Sequence, residues 1–286
     1  MPKLSIITIN YNNREGLEKT IQSVVAQTYK EYEYIVIDGG SNDGSVDVIK
    51  KYEGYLTYWV SEPDKGIYNA MNKGTRVATG EYCQYLNSGD SLIHENVLKE
   101  IFSQNPTTDI FSSNSIWLPS KKLVQAPEDV TLDYLLNVGM NHQATFIKRE
   151  ILNQYPYDES LKIVGDYKFF LQAFTERECN YRKLDVASVY YDQGGISSTQ
   201  LELHFKEREK VIDELKVPQA IIKDYIVRRY RLKSDYLYKR MYKMDYYVKN
   251  PIARGLMGFI IGIFSAVYHI IDKGYKGISR LFCGRH

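Results

Sequence analysis

The chain has 286 residues, 44% apolar and 25% charged, with a net charge of +2, an ordinary globular composition that excludes a disordered, collagenous or small disulfide-stapled chain. Its three cysteines, odd in number and without CxxC spacing, exclude a disulfide framework or a cysteine-built zinc site and point to a reducing compartment. The charge is unevenly placed: residues 201–286 carry 18 Lys and Arg against 9 Asp and Glu, which leaves −7 for residues 1–200, so the first part suits a cation-dependent site and the second an anionic lipid partner.

Met1-Pro2-Lys3 runs straight into LSIITIN, so no secretory leader is read and the protein is expected to begin in the cytosol. Leu4–Asn10 is a β-branched apolar run broken by Tyr11-Asn12-Asn13, after which Leu17, Ile21, Val24 and Val25 recur at helical spacing. A second apolar run, residues 34–37, exits through Asp38-Gly39-Gly40-Ser41-Asn42-Asp43-Gly44-Ser45 into a helix over 46–52. A third strand over 56–61 ends at Glu62-Pro63-Asp64-Lys65-Gly66. Ile67, Ala70, Met71, Gly74, Val77 and Ala78 then mark one face of a helix, and a strand over 82–86 closes with Asn87-Ser88-Gly89-Asp90.

Strands alternating with helices at this spacing predict an α/β fold, a parallel sheet covered on both faces whose right-handed crossovers bring the strand exits to one edge. Thr8, Asn10, Asp38, Asp64 and Asp90 are then expected along one rim, where open α/β sheets bind ligands. Asp64 and Asp90 read either as turn and cap residues or as holders of a divalent cation or polar ligand. Asp38 is suited to accept hydrogen bonds from a uracil ring or ribose, whereas Asp43 reads as a cap. Neither GxGxxG nor GxxxxGK[ST] is present, so no dinucleotide fingerprint or P-loop explains the rim.

Farther along, a helix over 96–103, a strand over 110–117, a pairing segment at 123–125 and a short helix over 132–138 are expected. Residues 139–147 enter another strand with His142-Gln143 at its mouth, and His142 reads as a packed histidine or as a functional one. Asp166 opens a helix over 167–174, as an N-cap or as a general base. Residues 190–198 form a Gly-rich loop whose backbone amides, those of Gly194 and Gly195 among them, can approach a phosphate.

Beyond residue 199 the pattern is wholly helical, so a catalytic domain is expected over 1–200, a basic, tyrosine-rich helical extension over 201–249, and an apolar helix with a tail over 250–286. Residues 255–271 carry no charged side chain apart from His269. This stretch is at the lower edge of the roughly 20 residues that span a bilayer, so it reads as a span or as an interfacial helix. Its basic, aromatic flank suits a cytoplasmic headgroup region better than nucleic acid, so membrane contact is expected through residues 220–271.

In order, SIITINYN, IVIDGGSNDGS, SEPDKGIYNAMNKGTRVATGEY, LNSGD, NHQATFIKRE, VGDYKFF and QGGIS make residues 3 to 200 resemble the inverting glycosyltransferase family 2 of bacterial polysaccharide biosynthesis. The resemblance implies a GT-A fold, with a mostly parallel nucleotide-binding sheet flanked by helices. It implies that Thr8, Asn10, Asp38, Asn87 and Ser88 hold the nucleotide sugar, with Asp64 and Lys73 near donor groups. Asp90 would bind Mg²⁺ or Mn²⁺ in an altered motif, with Asn87 and Gly89 where members often place carboxylates. Asp166 would be the base, and His142, Gln143, Gly194 and Gly195 would lie on the acceptor or diphosphate side.

The implied reaction carries a sugar from a nucleotide-sugar donor, a UDP-sugar, to a hydroxyl of a lipid-linked saccharide at the cytoplasmic face of the bacterial inner membrane, with inversion. The thinned acidic motif keeps a catalytically silent sugar-nucleotide-binding or scaffold protein as the alternative. A nucleotidyltransferase would want a Gly-rich, Arg-containing loop after the first strand, which Asn10-Tyr11-Asn12-Asn13 does not supply.

Overall fold

Four parallel strands underlie the rim. β1 (Leu4–Asn10) is buried at every position, the pattern of a strand covered on both faces. It pairs in parallel with β2 (Tyr32–Asp38) on one side and β4 (Tyr82–Tyr85) on the other, and β3 (Tyr58–Ser61) lies outside β2. The connecting helices are α1 (Arg14–Val25), α2 (Ser45–Lys51) and α3 (Ile67–Val77). A Cβ at Gly74 would run into the Ile7 side chain, so the glycine is what lets α3 settle against β1. The register sets Asn10 beside Asp38 and Asp38 beside Ser61, ending three strands in one row.

The remaining strands are β5 (Ser91–Leu92), β6 (Ile110–Leu118), β7 (Lys122–Val124), β8 (Thr145–Lys148) and β9 (Tyr181–Asp192), with helices α4 (Val97–Phe102), α5 (Leu132–Asn137), α6 (Arg149–Gln154), α7 (Gly165–Thr175) and α8 (Leu201–Glu214). The sheet runs β3-β2-β1-β4-β8-β6-β9-β5, with β7 on β6. The first four strands form a continuous parallel array, and β6 and β9 pair in parallel farther along the sheet. β8 is antiparallel to both β4 and β6. The sheet as a whole is mixed.

That departure builds the site. Running against β4, β8 begins where β4 ends, so the turn His142–Ala144 at its mouth stands next to Asn87, and Gln84 Nε2 ties the two by donating to the Gln143 carbonyl at 2.8 Å. Likewise β5 runs against β9, with Ser91 opposite Tyr190, which sets Asp90 beside Asp192. Beneath, the rings of Phe111 and Phe146 stack at 4.7 Å, with Phe102 edge-on to both.

The computed structural model describes residues 2–192, 194, 200–215 and 217, within the first of two compact units, Met1–Val217; the second, Pro218–His286, lies outside the described residues. The expected domain end near residue 200 falls before a helix that packs on this unit. Glu207 of α8 accepts the backbone amides of Lys162, Ile163 and Val164 at 2.8, 2.9 and 3.3 Å. Among the described residues no helix is long and apolar enough to cross a membrane. The tyrosine-rich segment beyond 217 and the apolar stretch 255–271 lie outside the described residues.

Candidate active site

The rim residues are held more tightly to one another than the sequence indicates. Thr8 is fully buried, and its hydroxyl donates to the Leu86 carbonyl at 2.8 Å and meets the Tyr34 hydroxyl at 3.0 Å, so it joins strands under the rim. Asp38, also fully buried, accepts from Asn10 Nδ2 (2.7 Å), Ser41 Oγ (2.6 Å), Ser41 N (2.9 Å), Gly40 N (3.2 Å) and Ser61 Oγ (2.6 Å). A carboxylate has about four lone-pair sites, so a nucleotide reaching Asp38 must displace one of these donors. Burial pushes the Asp38 carboxyl up, but the hydrogen bonds from Ser41, Ser61 and Asn10 outweigh it and hold the group below its usual range. Asn10 Oδ1 is left buried without a partner.

Asp64 accepts the Gly66 amide at 2.8 Å, and its Oδ2 would lie 2.6 Å from a Cβ on Gly39. Gly39 thus leaves room for Asp64 and for the ring of Tyr11, which is 67% exposed and which sequence reading took only as a strand breaker. Lys73 is paired with Glu62 at 2.7 Å and reaches back toward the Pro63 carbonyl. The Asn12–Asn13 loop joins rim and cleft: Asn12 Oδ1 accepts the Asn42 amide at 2.9 Å, and Asn13 Nδ2 donates to the Ser88 carbonyl at 3.1 Å.

Beside this rim opens a cavity of about 610 Å³ lined by Asn87, Ser88, Asp90, His142, Gln143, Asp166 and Gly194 of the expected set. Thr8, Asn10, Asp38, Asp64 and Lys73 are not on its lining, and Gly195 lies outside the described residues. The cavity also takes in Asn13, Tyr68, Trp117, Asp192 and His204, which sequence reading did not single out as site residues. The signal for Asp192 was its place just before the glycines of the quoted loop. Its tie to Asp90 needed β5, a two-residue strand too short to show a period.

Asp90 is 4% exposed and accepts the Asp192 amide at 2.9 Å through Oδ1. Burial pushes its carboxyl up to about 7, with the Asp192 amide and the His142 charge acting downward and the Asp192 charge upward. A buried acid that resists ionisation, beside a second carboxylate, fits a divalent cation bound through one or two protein oxygens and the phosphates of a substrate. Among the described residues no group of three or more His, Cys, Asp or Glu stands ready to cage an ion alone.

Across the cavity, Asp166 Oδ1 accepts the Tyr167 amide at 2.9 Å and lies 3.0 Å from the Tyr68 hydroxyl, which is closer, at 2.6 Å, to the Ile163 carbonyl, while His142 Nδ1 lies 2.9 Å from Oδ2. A Cβ on Gly165 would strike the Tyr68 ring, so that glycine permits the Tyr68–Asp166 contact. Burial raises the Asp166 carboxyl, but the hydrogen bond and charge of His142, with Tyr68 and the Tyr167 amide, bring it below the usual range. His142 Nε2 stands 3.4 Å from Asn87 Nδ2. An acid pair, an acid–imidazole pair and a polar strand exit thus share one cleft, which can hold an anionic substrate on a cation and remove a proton beside it.

Residues 5–104 match the family model described as glycosyl transferase family 2. An uncharacterized glycosyltransferase of Mycobacterium tuberculosis (strain H37Rv) is 33% identical over 180 residues, covering 60% of this chain and 69% of that protein. The putative teichuronic acid biosynthesis glycosyltransferase TuaG of Bacillus subtilis is 31% identical over 165 residues, 54% of this chain and 65% of its own. Among solved structures, S. aureus TarS 1–349 in complex with UDP-GlcNAc superposes with a TM-score of 0.58 at 21% identity, over 68% of this chain and 59% of that one. A Pyrobaculum calidifontis mannosyltransferase in complex with GDP-Man and Mn²⁺ gives 0.55 at 16% identity, over 95% and 88%. At these identities the two structures speak for a shared GT-A-like fold.

Proposed function

We propose, from the premise that this chain belongs to glycosyltransferase family 2, that it transfers a sugar with inversion from a nucleotide sugar, a UDP-sugar, to a hydroxyl of a lipid-linked saccharide during cell-surface polysaccharide synthesis. The observation that carries this reading is the meeting of Asp90, Asn87, His142 and Asp166 on one cavity although they come from β4, β8 and α7. The rim of Tyr11, Asp38 and Asp64 supports a nucleoside site beside it. An exposed aromatic ring offers a base its face, and Gly39 lets the Asp64 carboxylate come up beside that ring. The TarS complex with UDP-GlcNAc and the teichuronic acid relative support the choice of donor and pathway class.

Asp90, with Asp192 beside it, would hold Mg²⁺ or Mn²⁺, whose chemistry is to offset the charge of the departing diphosphate. Asp166 would take the acceptor proton with His142 against its Oδ2, His142 and Gln143 would flank the acceptor, and Gly194, whose amide donates to Asp192 Oδ1 at 2.9 Å, would lie on the diphosphate side. Residues 220–271 would bring this site to the cytoplasmic face of the inner membrane, a reading supported by their basic, aromatic and apolar composition alone.

The test is release of nucleoside diphosphate from a panel of UDP-, GDP- and dTDP-sugars on adding a farnesyl-diphosphate-linked N-acetylglucosamine, with and without Mn²⁺. Transfer is expected with a UDP-sugar, and Asp90→Asn should remove both the Mn²⁺ stimulation and the Mn²⁺-dependent rise in Tm in the presence of UDP. Binding of UDP-sugars with no release under any condition would favour the silent, scaffold reading that the altered Asn87-Ser88-Gly89-Asp90 motif keeps in view.

A further inference from the structure

We propose that Trp117 and Tyr191 form an aromatic platform for the sugar ring of the acceptor, beside the buried hydroxyl of Ser115. The inference rests on the transferase reading above and deepens it by naming residues that select the acceptor.

β4, β8, β6 and β9 follow one another in the sheet, and the loop 87–90 leads from β4 to β5, which pairs with β9. Side chains from these strands and that loop line the cavity, whereas Asn10, Asp38 and Asp64 of the nucleotide rim do not. With the nucleoside on the rim and the diphosphate at Asp90, the room around Asp166 falls to the transferred sugar and the acceptor.

Strand pairing sets the two rings there. β6 and β9 run parallel with Trp117 opposite Tyr191, and the ring centroids lie 5.4 Å apart at an interplanar angle of 60°. At that tilt the rings do not cover one another face to face, and they make two walls of a corner. Both residues are partly exposed and both line the cavity. Trp117 Nε1 donates to Ser115 Oγ at 3.1 Å. An indole has no other polar hydrogen, so what Trp117 has left for a ligand is its π face and its apolar edge.

Ser115 supplies the complementary polar atom. It is 1% exposed and lines the cavity. Its Oγ accepts from Trp117 Nε1 and, at 2.8 Å, from Asn141 Nδ2, which engages both lone pairs of a hydroxyl. The Asn141 amide is oriented by its other end, where Oδ1 accepts the Gln143 backbone amide at 3.2 Å. The Ser115 proton finds no acceptor among the described residues, and a buried donor without a partner is costly until a ligand takes it. Asn141 immediately precedes His142, whose Nδ1 lies 2.9 Å from Asp166 Oδ2, so the aromatic corner is joined to the neighbour of the base through Ser115 and Asn141.

An aromatic face next to a buried hydroxyl donor is the chemistry that suits a sugar, which presents C–H groups on one face and oxygens at its edge. A prenyl chain would gain from the rings but would leave the Ser115 proton buried with nothing to accept it.

The experiment uses the full-length protein. Its tryptophans are Trp59 and Trp117, and Trp59 lies on β3, outside β2, so in Trp59→Phe the indole emission reports Trp117. That emission should change on adding farnesyl-diphosphate-linked N-acetylglucosamine and not on adding farnesyl diphosphate. An equal change with farnesyl diphosphate would give the wall to the lipid and overturn the proposal. In turnover with UDP-GlcNAc, Trp117→Leu, apolar but not aromatic, should raise the acceptor KM about tenfold, with kcat at saturating acceptor and the KM for UDP-GlcNAc within about threefold of wild type. Trp117→Phe should recover most of that loss. An unchanged acceptor KM in Trp117→Leu, or an equal rise in both KM values, would also overturn the proposal. Absence of UDP release by the wild type would instead count against the transferase reading. The Trp117 emission, titrated with the methyl glycosides of glucose, galactose, mannose and N-acetylglucosamine, would still decide whether the platform takes a sugar, and no response to any of them would overturn it.

Discussion

At the scale of single residues, the site is set by which polar atoms lack a protein partner. His204 of α8 lines the cleft with Nδ1 buried and unpartnered, and burial first, then the Arg208 charge, push its imidazole down to about 4. The folded protein therefore keeps His204 neutral where the unfolded chain protonates it. Below pH ~6.5 the unfolded state binds the extra proton, so the His204 contribution falls as pH drops from ~6.5 toward 4, by about 1.4 kcal/mol per unit at most. Asp90, held up at about 7, acts with the opposite sign over the same range, so the histidine is read as a difference: between pH 7 and pH 4.5 in urea, wild type should lose more stability, or gain less, than His204→Gln, while the loss at still lower pH, where Asp158 beside Lys168 loses its charge, remains in both. Asp90, Asp166 and His142 were legible in the sequence because each ends or opens an element whose period can be read. Thr8, Asp38 and Lys73 were named too, but their partners, the Leu86 carbonyl, Ser61 and Glu62, come from elements that only the tertiary register brings near, so their internal bonding could not be read in advance.

At the scale of elements, the alternation of strand and helix through residue 86 predicted β1 to β4 in place, because a parallel array with crossovers leaves few other arrangements. The second half of the sheet was less legible. β5 is two residues long, and β8 follows a connection over 125–144 that has no sequence period to fix the strand's direction. Yet it is this half that brings His142 to Asn87 and Asp192 to Asp90. α8 contributes by a different route. Glu207 is 8% exposed and gathers three consecutive amides of the segment that leads into Gly165 and Asp166, while Arg208 lies 4.2 Å over the Tyr167 ring. Replacing Glu207 by Ala leaves those amides without their acceptor, at roughly 1–3 kcal/mol for each that stays buried. We expect a loss of about 3 kcal/mol or more in urea denaturation. We also expect a fall in kcat larger than any change in the KM for UDP-sugar, since the segment positions Asp166 and not the nucleotide rim.

At the scale of the whole molecule, the same contacts tie α8 into the first compact unit. A chain ending at residue 199 loses Glu207 and Arg208 together, whereas one ending at Val217 keeps every contact described here within the first compact unit. The shorter chain should unfold at lower urea than the full-length protein or fail to fold, and the one ending at Val217 should keep a single cooperative transition and bind UDP-GlcNAc with unchanged affinity. What it should lose is the membrane. On the proposed membrane reading, the basic excess of residues 201–286 would attract anionic headgroups, each Lys or Arg near the surface contributing about 1 kcal/mol, an attraction screened by salt. Burial of the apolar stretch 255–271 in lipid would not be screened. Full-length protein on phosphatidylglycerol vesicles should therefore be loosened but not released by high salt, and the chain ending at Val217 should not sediment with the vesicles under either condition. Its transfer to a water-soluble acceptor analogue should persist while transfer to a lipid-linked one drops. Equal sedimentation of both chains would place the membrane contact within residues 1–217, and the proposal for residues 220–271 would then be wrong.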